Sequence, residues 1–369
     1  SRDSPLFDKE NIPKIGKEGK VGMDIKYLLA PDIIADIAFN PDYGQIEADP
    51  ADINITYFET YFMEKRPFFM ENSTLFDTPI EVFYSRRIGT NREYMMGNWQ
   101  AQYNSIVKYA GKISGKTKNG LSFGTISAVT NDDYSSWFEV NSNSNFLVNR
   151  VTQDLFEGNS YIGFLSTIYN DNTETDYVTS IDMLSYLWDN QLVLDWQILN
   201  SQSDHSVDYN GIEGKSGNGL SFEMNYNPAT SSFYSFLDIE YFDRTLNIND
   251  VGYLYRNNLK KVQGGVGFYW HELDLFPISE GRVNLNFNRM SNLDNLVLNN
   301  SMGLSGTITY DNLWYMGAGF NYSDEHNDDL LLYDYYIEDG DPIDKADRLG
   351  PPIMIPKGTE INIYMGNNP

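Results

Sequence analysis

Between residues 40 and 90 the sequence crowds acids against basic residues: Asp42, Glu47, Asp49, Glu64 and Glu71 beside Lys65, Arg66, Arg86 and Arg87. Two kinds of chemistry follow. Two carboxylates roughly 5 to 10 Å apart across a cleft can act as acid and base in glycoside hydrolysis, and Glu47, Asp49, Glu64 and Glu71 are the candidates. The basic residues can instead hold an anionic ligand, or clamp the same acids, Asp42 included, in a structural ion-pair network, since Arg meets a carboxylate through two parallel hydrogen bonds. With 52 Asp+Glu in the chain, acid pairs arise by number alone. The network is therefore the expectation, and binding is favoured over catalysis.

Metal and nucleophile chemistry have less to draw on. The chain has no cysteine, which removes disulfides, thiolate metal sites and a cysteine nucleophile. Its three histidines, His205, His271 and His326, have no second His at ligand spacing. Acid-rich stretches read as loops could give oxygen ligands to Ca2+, with Asp132, Asp133, Asp339 and Asp341 as candidates, although none has the EF-hand spacing. Ca2+ is the only cofactor suggested. The run from Gly111 to Thr117 superficially evokes a phosphate loop, but three residues rather than four separate Gly111 from Gly115, so strand and turn is expected.

The elements that must position these residues have a period of two. Val283, Leu285 and Phe287 alternate with Asn284, Asn286 and Asn288, and Trp314, Met316, Ala318, Phe320 and Tyr322 oppose Tyr315, Gly317, Gly319 and Asn321. Such alternation marks strands with one apolar and one polar or small-residue face. Further strands are expected at 20–29, 33–39, 82–88, 105–113, 120–129, 160–169, 178–187, 218–226, 232–242 and 358–364, roughly 15 to 18 in all and about 8 to 11 residues long. The best helical candidate is 51–63.

A net charge of −26 excludes a nucleic-acid partner, which needs a basic stripe. No apolar run reaches the ~18 to 20 residues of a membrane helix. An antiparallel transmembrane β-barrel competes with a soluble sandwich, propeller or solenoid. Three features favour the barrel: aromatics near strand ends (Tyr161 and Tyr169; Tyr310 and Trp314; Phe233, Tyr241 and Phe242), a polar, glycine-rich second face, and loops that alternate between short and long.

The runs Asn40 to Pro50, Phe58-Glu59, Glu64 to Phe69, Phe83 to Gly89 and Gly111 to Ser122 resemble an uncharacterised outer-membrane β-barrel domain family of Bacteroidota and other Gram-negative bacteria, often found behind a family 9 carbohydrate-binding module. The resemblance implies one barrel domain over 1–369, with 40–90 filling part of its lumen. It also implies residence in the outer membrane, with lipid, lipopolysaccharide, a glycan ligand and other outer-membrane or lipoprotein subunits as partners. It brings no reaction. No carbohydrate-binding module precedes the barrel here, and the last residues, Gly366-Asn367-Asn368-Pro369, lack a terminal aromatic, so an incomplete barrel, truncated at both ends, is expected. The function expected is glycan or nutrient binding or uptake at the cell surface. The alternatives are a glycan hydrolase using the 40–90 carboxylates and a structural subunit of an export or uptake complex.

Overall fold

Alternation of apolar with polar or small residues becomes extended backbone along nearly the whole chain. A computed structural model describes residues 22–41, 59–89, 92–96, 99–134, 141–171, 175–203, 216–228, 232–273, 277–329, 333–338, 341–348 and 352–367, with backbone alone at 92–96, 99–104, 132–134, 141–142, 157, 272–273, 328, 333–338 and 341–348. The strands begin with β1 (Met23–Ala30), β2 (Ile33–Phe39), β3 (Arg92–Met96), β4 (Trp99–Lys116), β5 (Leu121–Tyr134), β6 (Asn141–Leu155) and β7 (Ser160–Asn170). They continue with β8 (Thr175–Leu187), β9 (Leu192–Ser203), β10 (Ser216–Tyr226), β11 (Phe233–Phe242), β12 (Leu259–Leu273), β13 (Ile278–Ser291) and β14 (Val297–Tyr310). The last are β15 (Trp314–Ser323), β16 (His326–Asp328), β17 (Tyr333–Glu338), β18 (Asp341–Arg348), β19 (Ile353–Ile355) and β20 (Gly358–Asn367).

Fifteen of them form one antiparallel sheet in the order β1-β2-β4-β5-β6-β7-β8-β9-β10-β11-β12-β13-β14-β15-β20, with β3 paired to β4 beside it. β16 with β19 and β17 with β18 make two small sheets between β15 and β20. Among the described residues β1 and β20 each have one neighbour, so the sheet is not closed. Every step along the order reverses direction, and an odd number of strands leaves β1 and β20 pointing the same way. Strands β2, β9, β11 and β15, which precede the longest gaps between sheet strands in the sequence, all end at one edge of the sheet. The opposite edge turns tightly, for example at 117–120 and 188–191, where Gly120 (φ 78) and Asn190 (φ 67) take the left-handed backbone that tight turns require.

The two faces of the sheet differ in what covers them. On one, Val107, Ala110, Ile126, Ala128, Phe146, Val148 and Tyr169 pack against Phe69, Phe76 and Ile88 of segment 59–89. Farther along, Leu165, Val178, Leu199 and Phe242 pack with Ile80 and Val82 of that segment and with Leu246, Ile248 and Leu254 of segment 243–258. This packed face holds the core. The other face is bare: Ile25, Ile37, Ile113, Phe164, Ile181, Ile198, Val266, Leu285, Phe287, Met302, Leu304, Phe320 and Ile363 are all exposed. Each such side chain forgoes about 1.5 to 3 kcal/mol relative to burial, and a soluble protein rarely leaves so large an apolar surface uncovered. No helix among the described residues is long and apolar enough to cross a membrane, which says nothing of strands.

Several sequence expectations need correction. Residues 59–63 carry no helix, and 51–58 lie outside the described residues; the one α-helical turn among the described residues, Pro67–Met70, starts instead where proline's missing N–H is harmless. The 82–88 run is not a strand. It folds as the 3-10 turn Ser85–Arg87 between extended residues, with Val82, Tyr84, Arg87 and Ile88 all buried and the Tyr84 N–H bonded to the Val251 carbonyl rather than to a sheet strand. Strands reach 14 to 18 residues in β4, β5, β6, β12, β13 and β14. β5 and β6 outrun their apolar stretch because the hairpin continues as a polar ladder, Asn131 with Asn143 and Asp132 with Ser142. Asp132 and Asp133 are thus strand residues rather than loop residues. Asp341 likewise opens β18, paired with Glu338 of β17. Tyr169 and Phe242 belong to the packed face, not to an outward girdle.

Candidate functional site

The acids and arginines of segment 59–89 are held in place by one another. Arg66 grips Glu64 with two hydrogen bonds, Nε to Oε1 at 2.8 Å and Nη2 to Oε2 at 2.6 Å. It also donates to the carbonyls of Ser85 (2.7 Å) and Ile88, and its guanidinium lies 4.3 Å from the Phe69 ring centroid. Glu64 accepts further from the Ser85 hydroxyl at 2.6 Å and from the backbone N–H groups of Lys65 and Arg66. Arg66 is therefore buried with its charge matched, and it ties both ends of the segment together. Arg87 repeats the fork on Glu59, at 2.7 and 2.6 Å, and donates Nε–H to the Gly252 carbonyl at 2.8 Å. Arg86 shares the Ser85–Arg87 turn.

Of the other candidates, Glu71 pairs with Lys26 of β1 at an exposed position, where ion pairs contribute little. The structure thus gives Glu64 and Glu71 separate cationic partners. Asp42, Glu47, Asp49 and Asp339 lie outside the described residues. Among the described residues no group of three or more His, Cys, Asp or Glu comes together as a metal site. The sequence was read as holding no Gly-x-Ser-x-Gly elbow, yet Gly120-Leu121-Ser122-Phe123-Gly124 has that spacing; it spans a hairpin turn and β5. An elbow needs a strand-to-helix turn.

Burial works against the Glu64 carboxylate, yet the hydrogen bond and charge of Arg66, with the Ser85 hydroxyl, outweigh it and hold the pKa below the ordinary 4.5. A lowered folded-state pKa stabilises fully above the unfolded value and is lost as pH falls through the folded one. The wild type should therefore lose stability relative to Glu64→Gln as pH drops below about 4.5, read by unfolding at pH 7 and at successively lower pH. A constant difference would contradict this. Glu81 is displaced the other way, chiefly by burial. It accepts from Tyr61 Oη at 2.9 Å, in a cluster where the Tyr61, Tyr84 and Tyr253 rings lie 4.9 to 5.5 Å apart. Burial, with the nearby Glu59 charge, pushes the Tyr84 phenol up to about 12. Tyr84 donates to the Phe62 carbonyl at 2.8 Å, and Tyr253 donates to the Glu59 carbonyl at 2.7 Å.

Sequence reading missed Glu59, Glu81 and Tyr253, because the chain separation from Glu59 to Tyr253 hides their contact. It also missed the polar half of the packed face. From β9 to β14 the register aligns Asp195, Glu223, Asp238, Gln263, Asn288 and Ser301 on that face. A neighbouring row runs from Asn286 through Gly303 and Asn321 to Glu360. Lys261 answers two acids here, Asp238 at 2.8 Å and Glu240 at 3.2 Å. Glu223, Asn225, Asn286, Asn321, Glu360 and Asn362 are exposed, so this part of the face is wet. The signal was visible as every-other-residue Asn in 284–288; what it lacked was a register to join the strands.

Comparison with curated proteins and with solved structures finds no match. A family model does match, covering residues 7–338 and described as a domain of unknown function, DUF5916. A match over most of the chain settles its membership: the chain belongs to the DUF5916 family.

Proposed function

We propose that this chain is an outer-membrane β-barrel protein that binds or takes up glycans or other nutrients at the cell surface. The observation that carries the reading is the bare apolar face, continuous from Ile25 on β1 to Ile363 on β20, backed by a face that is partly packed and partly wet. That pairing is what a barrel needs with lipid outside and water or chain inside. Segments 59–89 and 243–258 then fill part of the lumen, and the polar wall of β9 to β20 lines the rest. Barrels of this strand number are wide enough to enclose an aqueous space. Direct pairing of β1 with β20 would be parallel; an antiparallel closure takes an odd number of further strands between them. The acid-rich long connections would meet anionic lipopolysaccharide, where Ca2+ would serve as a bridge, and other outer-membrane or lipoprotein subunits would dock at the same edge.

Cell fractionation tests the reading. The protein should sediment with outer membranes, resist extraction by alkaline carbonate and need detergent for release. Recovery in the soluble fraction without detergent would overturn it.

A further inference from the structure

Two rows of side chains cross five strands near the tight-turn edge of the polar wall. One pairs Tyr269, Arg282, Thr307, Gly317 and Tyr364 in sequence from β12 to β20; the next pairs His271, Glu280, Thr309, Tyr315 and Gly366. Cross-strand partners share a face, so all of these project to one side. Over them lies a cavity of about 370 Å³ lined by Tyr269, His271, Glu280, Arg282, Thr307, Thr309, Tyr315 and Tyr364, a size that suits a small ligand.

The glycines in these rows shape the cavity. A Cβ at Gly317 would sit 2.3 Å from Tyr364 Cζ, and one at Gly366 would sit 2.4 Å from Tyr315 Oη. Each tyrosine ring therefore reaches across its glycine, and both rings line the cavity, tilted 56° to each other. The Tyr315 and Tyr364 centroids are 6.4 Å apart. Tyr364 Oη is 2.8 Å from Thr307 Oγ1, and Thr309 Oγ1 donates to Glu280 Oε1 at 3.3 Å.

Charge sets this place apart from the rest of the packed face. Lys112, Arg150 and Lys261 are paired with Asp36, Asp182 and Asp238. Among the described residues Arg282 has no such partner, although the chain carries a net charge of −26. A guanidinium fork with no acidic partner among the described residues, beside tyrosine rings, hydroxyls and one carboxylate, matches a ligand with a carboxylate, an apolar C–H face and hydroxyl groups. We propose that this cavity binds an acidic sugar, a pyranose bearing a carboxylate, a reading that rests on the glycan-handling function. Arg282 takes the carboxylate through two hydrogen bonds, Tyr315 and Tyr364 take the C–H face, and Glu280 with the threonines takes ring hydroxyls.

The test is calorimetric titration of the whole protein in detergent micelles with a galacturonate trisaccharide, its full methyl ester, and glutamate. The expected result is binding of the trisaccharide, weakened roughly tenfold or more by esterification and equally by Arg282→Gln. Arg289→Gln, on the bare face, should leave it unchanged. Equal binding of acid and ester, an unaffected Arg282→Gln, glutamate bound in preference, or no trisaccharide binding would each overturn the site. Absence of binding by a protein that still requires detergent removes this site alone, whereas a protein soluble without detergent removes the barrel reading itself.

Discussion

Asp182→Ala is expected to lower stability by about 3 to 5 kcal/mol, the range for removing one partner of a buried ion pair. Arg150 and Asp182 are 1% and 0% exposed at their side chains, joined by two hydrogen bonds, one of them Nη2 to Oδ2 at 2.7 Å. Arg150 Nε also donates to the Leu75 carbonyl at 3.0 Å, so this one side chain links β6 to β8 and to segment 59–89. Space for it is cleared by Gly163, where a Cβ would come within 2.6 to 2.8 Å of the guanidinium. Without Asp182 the guanidinium stays buried with the Leu75 carbonyl as its remaining hydrogen-bond acceptor among the described residues, which is why the loss should exceed that of an ordinary hydrogen bond. Replacing both members, Arg150→Met with Asp182→Leu, should recover much of it, since two matched apolar groups leave no charge stranded. Equilibrium urea unfolding in lipid vesicles measures both. An Asp182→Ala protein as stable as the wild type would show that water or another acid reaches Arg150.

Gly252→Val should have the second largest effect, about 1 to 3 kcal/mol from overpacking. A Cβ there would fall 2.6 Å from the Glu81 carbonyl oxygen, 2.8 Å from that of Val82 and 3.0 Å from that of Ile248. All three are backbone atoms, so no side chain can rotate away. The same place is where the two packed segments are laced: Tyr84 N–H to Val251 O at 2.8 Å, Tyr253 N–H to Glu81 O at 2.8 Å, and Arg87 to the Gly252 carbonyl. The substitution should therefore loosen 59–89 from 243–258 while the sheet persists. Limited proteolysis reads this directly, with cleavage in 59–89 rising several-fold and the sheet fragments unchanged. Gly111→Ala is the control, because a Cβ at Gly111 meets nothing within 4 Å. Equal protease resistance in Gly252→Val and wild type would contradict the close packing.

The sheet was legible in the sequence because a strand announces itself locally. Val283 to Asn288 alternates without exception, and the structure places these residues in the middle of β13. Segment 59–89 was legible as different, but not in its shape. Val82 to Ile88 has a strand-like composition, yet it is buried between the sheet face and Val251 and Leu254 far along the chain, and no periodicity reports that. Aromatic residues near strand ends were ambiguous for a related reason. One residue of shift moves a side chain to the other face, and Tyr169 falls on the packed face beside Phe146, with rings 5.3 Å apart. In the ion-pair network, Glu64 and Arg66 were readable as neighbours two residues apart. Glu59 with Arg87, and Arg87 with Gly252, depend on folds of the chain that spacing does not encode. The two tyrosine-bearing rows needed register across five strands, which a single sequence does not carry.

The bare face is expected to lie against lipid. The natural chain has no cysteine, so single cysteines can be placed one at a time at 283 through 288 in β13, labelled with a nitroxide and reconstituted in vesicles. Collision rates with oxygen and with a water-soluble nickel chelate then report the surroundings of each position. Val283→Cys, Leu285→Cys and Phe287→Cys should favour oxygen, and Asn284→Cys, Asn286→Cys and Asn288→Cys the chelate, in strict alternation. Chelate access at all six positions would contradict a lipid-facing sheet.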